Sequence, residues 1–181
     1  MKVIPALFLI VCIISGCEKK NAPINDTKEP VQPIEKKIEI LADYTGVCNM
    51  GINHPEDRTV VKKNLTIRSQ ADFDAFIAKI PKSEISKIQP APENDDPLLK
   101  NPGIDFDKNM AVVMTRSNTL SAVPTVTSIL LKGDALTVNG EYPAPSPCDC
   151  FPYGISVYRF VVIEKHTGDV VYNMTDKDVS R

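Results

Sequence analysis

Residues 155–164, ISVYRFVVIE, decide the architecture of this chain. Val157, Arg159, Val161 and Ile163 alternate with Tyr158, Phe160 and Val162, so a strand built here is largely apolar on both faces. Such a strand belongs in the middle of a sheet. A helix would cover one face, and a second layer or a long loop the other.

Working outward, Met110–Thr115 (MAVVMT) is another continuous apolar run and reads as a buried strand. Thr125–Leu131 and Ala135–Glu141 flank Gly133-Asp134, a pair suited to a type II′ turn, and predict a hairpin. Val170–Met174 is expected to pair with 155–164 across the loop Lys165–Asp169. Towards the amino terminus, Ile38, Ile40 and Tyr44 predict a short strand. Residues 45–56 then read as a loop broken by Gly46, Gly51 and Pro55, and Thr59–Ile67 as a second strand.

Ser69 followed by Asp72 forms a helix-start signature. Phe73, Phe76, Ile77 and Ile80 continue at helical spacing until Pro81, which predicts a helix of about three turns. Residues 82–105 are expected to be a long loop with a helical turn near Glu84–Ile88. In it Glu93, Asn94, Asp95 and Asp96 lack the spaced ligands and glycine of a calcium loop and read as solvated. The fold class is α+β: a mainly antiparallel sheet of about seven short strands with one packed amphipathic helix.

The first residues are of another kind. Lys2 precedes an apolar run, Val3–Ile14, too short to span a bilayer as a mature helix. It ends in Ile14-Ser15-Gly16-Cys17, which resembles the lipobox of bacterial lipoproteins. That resemblance implies cleavage before Cys17, its acylation (palmitate among the chains), and attachment to a lipid bilayer. Residues 1–16 are then the signal peptide. Residues 17–37 are the lipidated Cys17 and a polar, proline-punctuated tether, with a reach of up to ~60 Å at ~3.1 Å per residue. Residues 38–176 are a single globular domain and 177–181 a frayed tail. Glu18 after the lipidated cysteine resembles outer-membrane sorting.

With 181 residues and a net charge of -2, the chain has no basic footprint for nucleic acid. It has only two histidines, His54 and His166, the latter expected at a solvated turn. There is no G-x-S-x-G, H-E-x-x-H, P-loop or dinucleotide fingerprint. The expectation is a non-enzymatic domain without a cofactor.

Once Cys12 leaves with the signal and Cys17 takes lipid, Cys48, Cys148 and Cys150 remain, an odd set in an oxidising compartment. A disulfide from Cys48 to Cys148 or to Cys150 would leave one thiol. The alternative is an envelope metal-binding or thiol-redox protein. Cys48, His54, Cys148 and Cys150 would make the Cys₃His set that suits zinc, and their thiolates also favour Cu(I).

The order SQADFDAFIAKI, GIDFDKNMAVVM, TVTSILLKGDALTVNGEY and YRFVVIEK over residues 65–165 is similar to the C-terminal domain of PrcB-like subunits of bacterial protease complexes. It departs from them at SNTLSAVPTVTS, where that family has a glycine-rich turn and only Pro124 corresponds. The resemblance implies an accessory role and an envelope protein partner of the protease-complex type, and brings no catalytic residues.

Overall fold

The computed structural model describes residues 35–50, 60–85, 89–117, 119, 121–144 and 155–177. In chain order the elements are β1 (Glu35–Lys37), β2 (Ala42–Asn49), β3 (Lys62–Ile67), α1 (Gln70–Ile77), a 3₁₀ turn (Pro97–Lys100), β4 (Asn109–Ser117), β5 (Thr125–Lys132), β6 (Ala135–Tyr142), β7 (Ile155–Glu164) and β8 (Val170–Asp176). The strands form two four-stranded sheets, ordered β1-β5-β6-β8 and β2-β7-β4-β3. All pairs are antiparallel except β6 with β8. The class is α+β as expected, with eight strands instead of seven.

β7 lies between β2 and β4, in the middle of its sheet. Its even-numbered side chains, with those of Ala111 and Val113 on β4, face α1, where Phe73 and Phe76 are buried against Phe160. Ring centroids of Phe160 lie 5.7 Å from those of both Phe73 and Phe76, and 6.3 Å from that of Tyr44. Its odd-numbered side chains, Val161 and Ile163, face the other sheet. There they join Met110, Val112 and Met114 against Ile129, Leu136 and Val138. The described residues therefore form three layers, helix on sheet on sheet, and β7 is buried from both sides because its sequence is apolar on both.

α1 starts where the sequence places it. The Ser69 hydroxyl accepts from the Asp72 N–H at 3.2 Å and donates to the Asp72 carboxylate at 2.7 Å. The helix ends at Ile77, shorter than three turns, and Ile80 packs from the following turn. The β5–β6 hairpin closes on Gly133-Asp134 with Gly133 at φ 60°, where a side chain would be strained.

Three expectations are corrected. β7 and β8 do not pair. The chain crosses to the other sheet, where Val170, Tyr172 and Met174 pack into the core between the sheets and β8 runs parallel to β6. Residues 45–49 are strand, because β2 pairs with β7 along its whole length, from Ala42↔Val162 to Asn49↔Ile155. Glu35–Lys37, inside the segment read as tether, form a strand, since β1 pairs with β5. The 3₁₀ turn at Pro97–Lys100 lies within the segment expected to be loop, and residues 86–88 of the turn expected near Glu84–Ile88 lie outside the described residues.

Side-chain bonds tie the two sheets together along the β3 and β8 rim. Lys62 pairs with Asp176, the Tyr142 hydroxyl donates to Asn64 Oδ1 at 2.7 Å, and the Tyr172 hydroxyl donates to the Leu65 carbonyl. Beyond them Arg68 donates to the Gly168 carbonyl. Polar groups at this margin are thus used to join elements.

Candidate functional site

Of the residues singled out from the sequence, the structure places Cys48 and His166. Cys17, His54, Cys148 and Cys150 lie outside the described residues. Cys48 is a free thiol near the end of β2, opposite Ser156 of β7, on the face under α1. It is fully buried. That burial pushes its pKa from 9.0 up to about 12; the nearby Lys79 charge opposes the shift and Asp96 adds to it. A thiol held protonated this far above neutrality is a poor nucleophile. Among the described residues no group of three His, Cys, Asp or Glu side chains is arranged to hold a metal. The pairing Asn49↔Ile155 sets these two residues side by side at one end of the sheet β2-β7-β4-β3.

Two consequences for Cys48 are measurable. Alkylation at pH 8 is expected to be at least about tenfold slower in the native protein than in urea, read at Cys48 by peptide mass spectrometry. Because the folded pKa is raised, the unfolded thiol ionises first. Its contribution to stability is complete below pH 9 and is lost as pH rises towards 12. Tyr142 and Tyr172, raised by burial from 10.0 to about 12, add the same sign of dependence above pH 10. Cys48→Ala is expected to flatten the decline between pH 9 and 10; an unchanged slope would contradict the assignment.

His166 is not a free solvated tip. Its Nε2 lies 2.8 Å from the Asp134 carbonyl and its backbone N–H 3.2 Å from Met110 Sδ, so it fastens the β7–β8 connection to the β5–β6 turn.

The polar group next to Cys48 is not legible in the sequence. Asp96, read as part of a solvated acidic loop, is 6% exposed. The Tyr158 hydroxyl shares its proton between the two carboxylate oxygens at 2.7 and 2.8 Å. The Leu98 N–H donates to Oδ1 at 3.0 Å, so the same carboxylate starts the 3₁₀ turn. Burial, and then the adjacent Asp96, hold the Tyr158 hydroxyl far above its ordinary range. Gly46 makes room for the pair: a Cβ there would lie 2.2 Å from Asp96 Oδ2 and 2.8 Å from the Tyr158 hydroxyl. This glycine, read as a breaker, is instead a strand residue beneath a side chain. The arrangement pins the long 82–105 connection onto β2 and β7.

Two arginines mark the face between the sheets. Arg159 forms a fork with Asp43, its Nε lying 3.0 and 3.1 Å from the two oxygens, and also donates to the Pro124 carbonyl. Arg116 is 8% exposed and donates to the Pro143 carbonyl, and its Nε has no partner among the described residues. Since the Arg159–Asp43 pair is roughly a quarter exposed, Asp43→Asn is expected to cost about 1 kcal/mol or less, and less still in 1 M salt. Urea unfolding at two salt concentrations measures it, and a salt-independent loss of several kcal/mol would contradict this reading.

On the surface, a groove of about 180 Å³ runs between β3 and α1, lined by Leu65, Thr66, Ile67, Ala75, Phe76 and Lys79, with Asp72 at one end. A wider cleft of about 350 Å³ lies beside the start of α1. Three of the charged side chains that line it are already engaged: Asp105 with Lys108, Lys165 with the Phe106 carbonyl, and Arg68 with the Gly168 carbonyl. Compared with protein-family models, with curated proteins and with solved structures, the chain matches none.

Proposed function

We propose that this chain is a bacterial envelope lipoprotein, anchored through acylated Cys17, whose α+β domain is a non-enzymatic module that binds another envelope protein. The observation that carries this reading is Ile14-Ser15-Gly16-Cys17 at the end of a charged and then apolar leader. The use of the described polar groups supports the second half. Asp96 and Tyr158 anchor a loop, Arg159 and Asp43 join β7 to β2, and Tyr142 and Tyr172 join the sheets. These contacts assign the groups to holding elements together. The likeness to PrcB-like subunits points the same way, to an accessory partner in a protease-type assembly, and Glu18 points to the outer membrane.

Mass spectrometry of the mature protein from its native membrane tests the anchor. The expected product begins at Cys17 and carries acyl chains; a water-soluble product with an unmodified Cys17 would end the proposal. Co-purification of the acylated protein in mild detergent tests the binding role, and the absence of any stoichiometric partner would count against it.

A further inference from the structure

We infer that the outer edge of β3, together with the flank of α1 beside it, is a strand-addition site. Its occupant is an extended partner segment of the pattern basic-x-aliphatic-x-acidic. The inference rests on the protein-binding reading and names the surface and the chemistry of the partner.

The backbone sets the geometry. The Ser117 N–H donates to the Val61 carbonyl at 2.9 Å, and the Val61 N–H is taken by the Ser117 hydroxyl at 2.7 Å. Bonded pairs alternate in an antiparallel ladder, so Lys63, Leu65 and Ile67 turn their N–H and C=O groups towards β4. Lys62, Asn64 and Thr66 turn theirs outward. β3 is the last strand of its sheet, and among the described residues no strand pairs with that side. Unpaired donors and acceptors at strand spacing are satisfied by another extended backbone.

The side chains set the sequence of the occupant. Asp72, Ala75 and Phe76 lie at helical spacing along one flank of α1, Lys79 follows in the turn after it, and together they wall the groove above Leu65 and Ile67. On an antiparallel added strand, the residues opposite Ile67, Leu65 and Lys63 would face that flank. In chain order they meet Asp72, then Ala75 and Phe76, then Lys79. Charge complementarity requires a cation first and a carboxylate last, and the 180 Å³ groove between them accepts one aliphatic side chain.

Two other occupants fit less well. Residues 18–34 contain no such pattern, and Pro23, Pro30 and Pro33 lack the N–H that a ladder needs. A second copy in the register that sets Leu65 on Leu65 would place Lys62 opposite Arg68, two cations face to face.

The test uses the full-length protein in detergent and a fluorescein-labelled peptide centred on Arg-Thr-Val-Thr-Glu, followed by anisotropy. Saturable binding is expected. Lys79→Glu, at an exposed position, should weaken it about fivefold, and a peptide with Lys in place of Glu should recover the loss. Hydrogen exchange should show peptide-dependent protection of the Lys62, Asn64 and Thr66 amides. Absence of saturation, indifference to Lys79→Glu in a variant of unchanged melting temperature, or protection that appears only with dimer formation would each overturn the site. A native-membrane partner captured equally by Lys79→Glu and by the unaltered protein would overturn this surface while leaving the protein-binding role in place.

Discussion

Phe160→Ala is expected to destabilise the protein by about 4 kcal/mol, a large share of the whole stability of a domain this size. Phe160 is fully buried on the central strand, and its ring meets those of Tyr44, Phe73 and Phe76. Truncation removes the transfer free energy of the ring and leaves a cavity. The surrounding rings cannot collapse into it freely, because two belong to α1 and one to the edge strand β2. Phe160→Leu keeps most of the volume and is expected to cost about 1–2 kcal/mol. Val171→Ala, at a residue 52% exposed on the outer sheet, is expected to stay within about 0.5 kcal/mol. Urea midpoints at constant m-value give all three. A loss below 1 kcal/mol for Phe160→Ala would mean that the helix layer does not rest on β7.

That prediction draws on what the sequence shows most directly. Ten residues apolar on both faces demand cover on both sides, and the helix with its Phe73 and Phe76 stripe is one of the covers. The hairpin at Gly133-Asp134 and the start of α1 at Ser69 were equally readable, because each depends on a few adjacent residues. What was not readable depends on distant partners. Nothing local says that β8 abandons β7 for β6: alternation in Val170, Tyr172 and Met174 suits either neighbour, and the choice follows from which core those side chains fill. Gly46 looked like a breaker because its role is to lie beneath Asp96, fifty positions away. Asp96 looked solvated because its neighbours Asp95 and Glu93 are charged, and because Tyr158, its partner, is distant in sequence. The β3 edge was hidden for a similar reason: an edge is a property of strand order. The thiols of residues 148 and 150 stay an expectation, whereas Cys48 has an observed environment that suppresses its ionisation.

Tyr158→Phe is expected to cost about 2–3 kcal/mol, although it removes a single oxygen. The tyrosine is fully buried, and its hydroxyl is the side-chain donor to a carboxylate that is itself buried. Without it, Asp96 keeps the Leu98 N–H and loses the donor that spans both its oxygens. An acceptor left short inside the protein costs more than an ordinary hydrogen bond contributes, and more again when charged. Asp96→Ala is expected to cost a similar amount, because it strips the bond that begins the 3₁₀ turn and leaves the Tyr158 hydroxyl without its acceptor. The two losses should not add: in Tyr158→Phe with Asp96→Ala neither polar group remains to be starved, so the double variant should be less destabilised than the sum by about 1–2 kcal/mol. Thermal or urea unfolding of the four proteins closes the cycle. Strict additivity would show that the tyrosine and the aspartate stabilise the fold separately, and the pinning of residues 82–105 onto β2 and β7 would then need another cause. Gly46→Ala supplies an independent check, since its Cβ would intrude between the same two groups. It is expected to be less harmful in the double variant than in the unaltered protein, because the two oxygens it would strike are gone and only the ring carbon Cε1 of residue 158, at 2.8 Å, remains in its way.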